Sequence, residues 1–227
     1  MKITEIVKKE FSGWKRYEAI GLFAVLVFIF ANAVILKDSP VAVVSAVCGI
    51  LYTIIAGKGK VSCYFFGLAG SGCYSWLSFQ NALWGNLFLY LFYYIPMEIL
   101  GIFKWRKHLK KDTQEIVKIK LSREERIKLA FFCLLLSAVL CGILFVFHDK
   151  NPLFDGITTV LSVAGMYLTV KRAIEQWIIW MLVNGLSFLM WLELVLHGAK
   201  TFSTLIMWGV YFIFAIYFYI VWRKEVK

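Results

Sequence analysis

Long apolar segments separated by short polar connections make up most of the chain. Most of these eight segments are long enough to cross about 30 Å of hydrocarbon at about 1.5 Å per helical residue. They lack the alternation of barrel strands, and lipid cannot satisfy backbone hydrogen bonds, so the pattern predicts helices. The apolar runs cover residues 17–36, 41–56, 61–79, 86–104, 129–147, 155–170, 177–196 and 203–221. The predicted fold class is therefore all-α, in a polytopic membrane protein.

Composition indicates that lipid is the solvent of these helices. Hydrophobic residues make up 61% of the 227 residues, more apolar surface than a soluble domain of this size could hide from water. The net charge of +11 comes from basic residues between the runs, where they meet anionic lipid headgroups, so it requires no nucleic-acid partner. The five cysteines lie inside apolar runs without a CxxC or Cys/His spacing. We interpret them as packing residues, with no disulfide and no metal.

The distribution of basic residues predicts the orientation in the bilayer. Of the 25 Lys and Arg residues, all but Lys37, Lys150 and Lys200 fall in the two terminal segments and in alternate connections. Both termini should therefore face the cytoplasm. The basic N-terminal segment and the following apolar run resemble a signal peptide, but the run continues to Leu36. We expect it to be retained as an anchor.

Two parts of the chain resemble each other. Residues 102–107 (IFKWRK) resemble residues 219–224 (YIVWRK), 117 positions later, and at this shift Tyr94 aligns with Tyr211. One run separates the copies, so both start on the same membrane side and the repeats are parallel. The predicted plan is a leader helix followed by three helices, one connecting helix and three further helices (3+1+3).

The repeat defines the expected boundaries. They are 1–40 for the cytoplasmic N-terminus and leader helix, 41–105 for the first three-helix bundle, 106–128 for a charged cytoplasmic linker that we expect to be helical, 129–147 for the connecting helix, 153–222 for the second bundle and 223–227 for the cytoplasmic tail. Each bundle opens on a short run introduced by Pro40 or Pro152. Paired short segments in corresponding positions are typical of transporter binding sites.

The run 177–196 carries tryptophans and polar residues at helical spacing. Trp177, Trp180 and Asn184 recur at steps of three and four, followed by Ser187 and Trp191, so they share one side of a helix. Two indoles can sandwich a planar ring, and the Asn184 amide can hydrogen-bond a solute. The alternative for Asn184 is a hydrogen bond to a neighbouring helix.

Tryptophans at membrane boundaries often anchor helices in the interface. We predict this role for Trp14, Trp105 and Trp222, which lie near the expected cytoplasmic boundary. Trp177 is a further candidate for anchoring, whereas Trp180 lies deeper.

The run 86–104 carries a second polar and aromatic stripe, formed by Asn86, Tyr90, Tyr94, Glu98, Gly101 and Trp105. Pro96 lies beside this stripe and should loosen the backbone in mid-membrane. A carboxylate in a membrane helix is costly, so Glu98 is a candidate either to accept a hydrogen bond from a solute hydroxyl or to carry a proton. A structural partnership with a tyrosine or a backbone group is the alternative. The segment Gly67–Gly72 (GLAGSG) resembles a nucleotide loop but follows no strand, which favours close helix packing.

Two segments, Glu175–Asn184 (EQWIIWMLVN) and Phe92–Gly101 (FYYIPMEILG) followed by Trp105, resemble the PnuC family of bacterial vitamin transporters, and the likeness covers nearly the whole chain. The resemblance implies a fold related to SWEET sugar transporters, a homotrimer in the bacterial cytoplasmic membrane and no cofactor. It further implies facilitated diffusion of a nucleoside-like vitamin, chiefly nicotinamide riboside, which a cytoplasmic kinase then traps by phosphorylation.

The stripes and the resemblance together define the candidate solute-binding residues. They are Trp177, Trp180, Asn184, Tyr94, Glu98, Tyr90, Asn86, Tyr211, Gly70 and Gly165. The family pattern has Asn at Gly70, Gln at Gly165 and Gln at Glu98. Glycine in place of two amides should enlarge a pocket, so thiamine, riboflavin or a deoxynucleoside is an alternative solute. A buried carboxylate would favour a cationic ring.

Two other classes of function compete with a transporter. The three histidines, His108, His148 and His197, lie in loops or at helix ends, and the sequence contains no HExxH or GxSxG, which argues against a membrane enzyme. A vitamin-binding subunit of an energised importer is the other class. The duplicated three-helix plan argues against that class.

Overall fold

The computed structural model describes residues 14–36, 39–80, 84–148, 151–197 and 202–226. Within these ranges a helix occupies every predicted apolar run. The helices are α1 (Arg16–Leu36), α2 (Pro40–Gly57), α3 (Cys63–Gln80), α4 (Trp84–Leu89), a π-helical turn (Tyr90–Tyr94), α5 (Ile95–Arg106), α6 (Arg123–Val146), α7 (Pro152–Lys171), α8 (Gln176–Leu196) and α9 (Phe202–Glu225). The predicted all-α fold is confirmed. The expected cytoplasmic residues 1–13 and the basic residues Lys37, Lys150 and Lys200 lie outside the described residues.

Several helices have the length and apolar character that a bilayer requires. Six candidate spans are found among the described residues: Arg16–Ile35, Pro40–Gly57, Asn86–Arg106, Arg123–Val146, Pro152–Lys171 and Leu205–Glu225. Exposed leucine, isoleucine, valine and phenylalanine side chains make up most of the large apolar groups on their outer faces, which suits contact with lipid chains. The chain is therefore a multi-pass membrane protein.

The ends of the helices follow local capping rules. Pro40 begins α2, where its missing N–H is no loss, and the Ser39 hydroxyl accepts a hydrogen bond from Ala42 N at 3.2 Å. At α6, the Ser122 hydroxyl accepts from Glu125 N at 3.2 Å while the Glu125 carboxylate accepts from Ser122 N at 2.8 Å. This capping box begins α6 six residues before the apolar run.

The chain forms two compact units, Met1–Val117 and Lys118–Lys227. In the first unit, α1 packs against α2, α2 packs against α3, and α3 packs against the helical stretch from α4 to α5. In the second unit, α6 packs against α7, α7 against α8, and α8 against α9. The middle helix of each triplet, α3 or α8, thus contacts both of its neighbours.

The same aromatic contact recurs inside each unit. Tyr64 of α3 meets Trp105 of α5 edge to face, with ring centroids 4.9 Å apart. Trp177 of α8 meets Trp222 of α9 edge to face at 5.5 Å. Trp105 and Trp222 are equivalent in the predicted repeat, 117 positions apart, whereas their partners Tyr64 and Trp177 lie 113 positions apart, so one side of the contact follows the repeat. The arrangement of the two triplets as 3+1+3 stays a prediction.

The interpretation of Trp105 and Trp222 as interfacial anchors is wrong. Both side chains have no exposed surface, because each lies between helices in its aromatic contact. Trp222 also receives the Lys118 ammonium over its ring face, 5.0 Å from the centroid. Trp14, the third tryptophan predicted to be an anchor, is partly buried just before α1. The Lys58 ammonium lies over its ring, 5.9 Å from the centroid.

The prediction of a helical linker is also wrong for most of its length. Residues 107–122 contain no helix. Leu109 and Ile116 instead form an antiparallel bridge. Two residues of the α2–α3 loop hold the turn between Leu109 and Ile116 in place. The buried Lys60 ammonium donates to Thr113 O at 2.7 Å, and Gly59 O accepts from Ile116 N at 2.9 Å. The charged composition of the linker gave no sign of these contacts.

The second part of the linker docks within the second unit. Ile119 N donates to Arg172 O at 3.0 Å, and Ile174 N donates to Ile119 O at 2.9 Å. The buried Glu175 carboxylate accepts from Leu121 N at 3.2 Å and pairs with the Arg126 guanidinium at 3.0 Å. Glu175, part of the motif that carries the family resemblance, therefore holds the linker in place.

Candidate functional site

Three tyrosines form a column of rings in the first unit. The Tyr90 ring stacks on the Tyr94 ring with centroids 4.7 Å apart and 21° between planes. The Tyr74 ring, from α3, lies 4.5 Å from the Tyr90 ring at 36°. The Asn86 amide donates to the Tyr74 hydroxyl at 3.5 Å. The structure therefore brings together three of the predicted site residues, Asn86, Tyr90 and Tyr94, and adds Tyr74.

The backbone departs from α-helical geometry at this column. Tyr90–Tyr94 is a π-helical turn, in which Ile95 N donates to Tyr90 O. Pro96 follows at once and has no N–H to donate, so regular α-helical bonding is interrupted where the turn occurs. The prediction that Pro96 loosens the backbone agrees with this geometry. Such turns are frequent at functional sites.

Glu98 lies one turn further along the same stripe and is buried, with 3% of its surface exposed. The Ser71 hydroxyl donates to Glu98 Oε1 at 2.9 Å. Glu98 Oε2 has no hydrogen-bond partner among the described residues. One oxygen of Glu98 therefore has a structural partner, Ser71, and the other oxygen is available as an acceptor.

Small residues on facing helices make room for this polar cluster. A Cβ atom at Gly67 would lie 2.9 Å from Glu98 Oε1 and 2.9 Å from Tyr52 Cδ2. A Cβ atom at Gly101 would lie 2.2 Å from Tyr64 Cζ. The predicted close packing around Gly67 is present. In contrast, a Cβ atom at Gly72 would meet no atom within 4 Å, so this glycine makes no close contact.

In the second unit, Trp180 is held against α7. Its indole Nε1 donates to Thr169 Oγ1 at 3.3 Å, and the Thr169 hydroxyl donates to Gly165 O at 2.9 Å. A Cβ atom at Gly165 would lie 3.0 Å from the Trp180 ring. Gly165 therefore gives the indole the space to lie close against α7. Trp180 itself is only partly buried.

Trp177 faces a different helix from Trp180. Its ring packs on Phe218 at 5.2 Å and on Trp222 at 5.5 Å, both on α9. It is 3% exposed, and its Nε1 has no hydrogen-bond partner among the described residues. The predicted sandwich between Trp177 and Trp180 is therefore wrong, because the two indoles turn toward opposite neighbours of α8.

Asn184 and Ser187 are buried on α8, each with 7% of its surface exposed. The Asn184 amide makes no hydrogen bond within the described part of the chain, so the alternative of an interhelical partner finds no support there. Tyr211 of α9 is partly buried beside Trp208, with ring centroids 6.1 Å apart. The part that these residues take in binding stays a prediction.

The expectation that glycine enlarges a pocket at positions 70 and 165 is wrong. A Cβ atom at Gly70 would lie 3.2 Å from Cys48 Cβ on α2, and the space beside Gly165 is filled by the Trp180 ring. Both glycines allow close helix packing instead of leaving a cavity.

Sequence reasoning missed four residues that shape these clusters: Ser71, Tyr74, Tyr64 and Thr169. All four are polar residues within apolar runs, which is the signal that could have identified them. Ser71 lies within Gly67–Gly72, a segment whose glycines predict only close helix packing.

Comparison with known proteins agrees with this helical architecture. A family model described as nicotinamide mononucleotide transporter matches residues 39–224. The chain is 32% identical over 225 residues to the nicotinamide riboside transporter PnuC of Neisseria mucosa, covering 96% of this chain and 84% of that protein. It is 30% identical over 234 residues to the nicotinamide riboside transporter PnuC of Haemophilus influenzae, covering 100% of this chain and 99% of that protein.

A solved structure shares the fold. The crystal structure of the vitamin B3 transporter PnuC superposes with a TM-score of 0.83 at 30% identity, covering 100% of this chain and 98% of that chain. The resemblance to the PnuC family is therefore confirmed, and with it the prediction of a membrane transport protein that is not an enzyme. Since the family model matches most of its length, the chain belongs to the nicotinamide mononucleotide transporter family.

Proposed function

We propose that this chain carries nicotinamide riboside across the bacterial cytoplasmic membrane by facilitated diffusion. The observation that carries the proposal is the similarity along the whole chain to two relatives named as nicotinamide riboside transporters. The sequence contains no ATPase motif, which agrees with movement down the concentration gradient of the solute. A cytoplasmic kinase that phosphorylates the solute would then prevent its return.

The buried polar groups suit the parts of such a solute. Glu98 Oε2 is an acceptor without a hydrogen-bond partner in the described part of the chain, and ribose hydroxyls are donors. Asn184 offers one acceptor and two donors, suited to a carboxamide or a hydroxyl. Trp180, fixed by Thr169 and partly exposed, can stack on a planar ring, and a positively charged pyridinium gains a further cation–π attraction.

The finer architecture belongs to the same proposal. We infer two parallel three-helix bundles that follow one another along the chain in a 3+1+3, SWEET-like order with α6 between them in sequence, homotrimeric assembly and both termini in the cytoplasm. The charge distribution along the sequence supports the orientation. Contacts inside the units agree with it, since Glu18 pairs with Lys58 at 2.5 Å and Glu125 pairs with Lys171 at 2.7 Å, each joining segments predicted to lie on the cytoplasmic side.

Because of Glu98, the alternative solutes thiamine, riboflavin and a deoxynucleoside also belong to the proposal. The family pattern has glutamine at this position, and a carboxylate changes the charge that a solute meets. Thiamine, which is cationic, is favoured over riboflavin or a deoxynucleoside by this observation.

Reconstitution of the purified chain alone tests the proposal. Proteoliposomes should take up labelled nicotinamide riboside to equal concentration inside and outside, without ATP or an ion gradient. Thiamine, riboflavin and deoxynucleosides serve as competitors. A binding subunit would retain the solute without moving it, and an enzyme would alter it, so either result contradicts the proposal.

A second reconstitution tests the trapping step. With a nicotinamide riboside kinase and ATP enclosed in the liposomes, label should accumulate beyond equilibrium as the phosphorylated product. Liposomes with kinase but without ATP are the control. Equal label in both preparations would contradict trapping while leaving the transport proposal unaffected.

A further inference from the structure

Tyr74 occupies an unexpected place in the first unit. It belongs to α3, whereas its ring partner Tyr90 belongs to the π-helical turn, and the two centroids are 4.5 Å apart. Tyr90 in turn stacks on Tyr94 at 4.7 Å. Three phenol rings from two neighbouring helices thus form one continuous column, and each ring is partly buried.

A polar group lies at one end of this column. The Asn86 amide donates to the Tyr74 hydroxyl at 3.5 Å, which restrains the Tyr74 ring and places a second amide hydrogen beside it. Phenol and amide groups together offer both stacking surface and hydrogen-bonding edges, the combination by which proteins bind planar heterocycles.

The opposite side of the same helical stretch has a different chemistry. Phe88, Leu91 and Phe92 are exposed by 57%, 42% and 72%, and their side chains carry no polar atoms, as suits contact with lipid. The tyrosines and Asn86 lie on the other side, toward α3. Polar side chains within membrane helices usually face a protein interior or an aqueous path, because lipid cannot satisfy them.

We propose that Tyr74 is a solute-binding residue, which completes a tyrosine column on which the planar ring of the transported solute stacks. The proposal rests on the function proposed above and deepens it by naming the class of ligand, a flat heterocyclic ring, and a residue that recognises it. Phenol faces attract neutral heterocycles by stacking and cationic ones by an additional cation–π term. The π-helical turn matters because it sets the positions of Tyr90 and Tyr94, which support the Tyr74 ring, and the solute ring continues the column on Tyr74.

Two substitutions separate the ring of Tyr74 from its hydroxyl. Tyr74→Phe keeps the ring and loses the bond from Asn86, whereas Tyr74→Leu loses the ring. Trp76→Leu is the matched control, since it removes a ring from the same helix at a site that is 52% exposed and pairs with Phe79. Titration calorimetry of the full chain in lipid nanodiscs, with nicotinamide riboside, thiamine, riboflavin and a deoxynucleoside as probes, measures the Kd values.

For the solute that the wild-type chain binds, Tyr74→Leu should raise Kd about tenfold, the loss of one stacking partner. Tyr74→Phe and Trp76→Leu should stay within about twofold. Tyr74→Met, which fills similar space with a flexible chain, replaces the leucine variant if that variant fails to fold, and it should show the same loss. Unchanged Kd in the folded variants without the ring overturns the role of Tyr74, and so does an equal loss in Tyr74→Phe. Wild-type binding of thiamine in place of nicotinamide riboside overturns only the choice of solute.

Discussion

Glu98 of α5 lies directly over Gly67 of α3, so close that a Cβ atom at Gly67 would be 2.9 Å from Glu98 Oε1. Glycine at this position lets the two helices approach until Ser71 can donate to the same carboxylate oxygen at 2.9 Å. The buried Glu98 carboxylate, the Ser71 hydroxyl that donates to it and Gly67 are therefore packed together. Changing the glycine should disturb the carboxylate.

We expect Gly67→Ala to lower the free energy of unfolding by about 1–3 kcal/mol, because the added methyl group also meets Tyr52 and overpacks the contact. Gly72→Ala is the control on the same helix, since a Cβ atom there meets nothing within 4 Å. It should be neutral or raise stability by up to about 1 kcal/mol through better helix propensity. Thermal unfolding in detergent measures both. Equal losses in the two variants would contradict the packing argument.

Sequence reasoning located the helices but not all of their partners. Apolar length identifies a spanning helix, since lipid thickness is a property of the solvent and not of tertiary contacts. Trp105 shows the limit of this reasoning. Interfacial tryptophans and buried ones have the same spacing in sequence, and only the contact with Tyr64 decides between them. The stripe containing Tyr90 and Tyr94 could be predicted because its residues lie along one helical stretch. Tyr74 could not be predicted, because it belongs to another helix, α3.

The linker likewise has one property that local sequence predicts and one that depends on distant residues. Its basic, polar composition predicted a cytoplasmic segment, but its conformation depends on distant groups such as Lys60 and Glu175. No local pattern reveals that the Leu121 N–H will meet the carboxylate of Glu175, 54 residues away in sequence.

Removing the Glu175 carboxylate should destabilise the second unit. In Glu175→Ala, the buried Leu121 N–H loses its acceptor and the Arg126 guanidinium loses its ion pair while keeping its hydrogen bonds to Leu121 O, so we expect a loss of about 1–3 kcal/mol in the free energy of unfolding. Glu124→Ala is the matched control: its carboxylate pairs with Lys128 at 2.6 Å, but the pair is 76% and 66% exposed, and such pairs contribute about 0.5 kcal/mol or less. Comparable shifts of the unfolding temperature in both variants would contradict a special role for Glu175.

Replacing Glu98 by glutamine tests the choice between cationic and neutral solutes. Glutamine has nearly the same size and can still accept the Ser71 hydrogen bond, so the fold should persist while the negative charge is removed. Transport of cationic nicotinamide riboside or thiamine should show about a tenfold higher KM, because the cation loses its attraction to a buried negative charge. Uptake of a neutral nucleoside by the same proteoliposomes is the control. Equal KM values for the cation in mutant and wild type would remove Glu98 from the substrate site.

The hydroxyl of Thr169 should matter for binding through Trp180. Thr169→Val keeps the shape of the side chain but removes the acceptor that holds the indole Nε1 at 3.3 Å, leaving the ring freer to rotate away from its stacking position. We expect a loss of about 0.5–1.5 kcal/mol in solute affinity, or about 2- to 12-fold in Kd. Thr158→Val is the control on the same helix, because among the described residues its hydroxyl bonds only to backbone carbonyl groups of its own helix, the nearer being Phe154 O at 2.6 Å. Because the chain has nine tryptophans, the difference in fluorescence between proteins with Trp180 and with Trp180→Phe reports whether this indole has moved. An unchanged Kd together with a changed Trp180 signal would show that the orientation of this ring does not govern recognition.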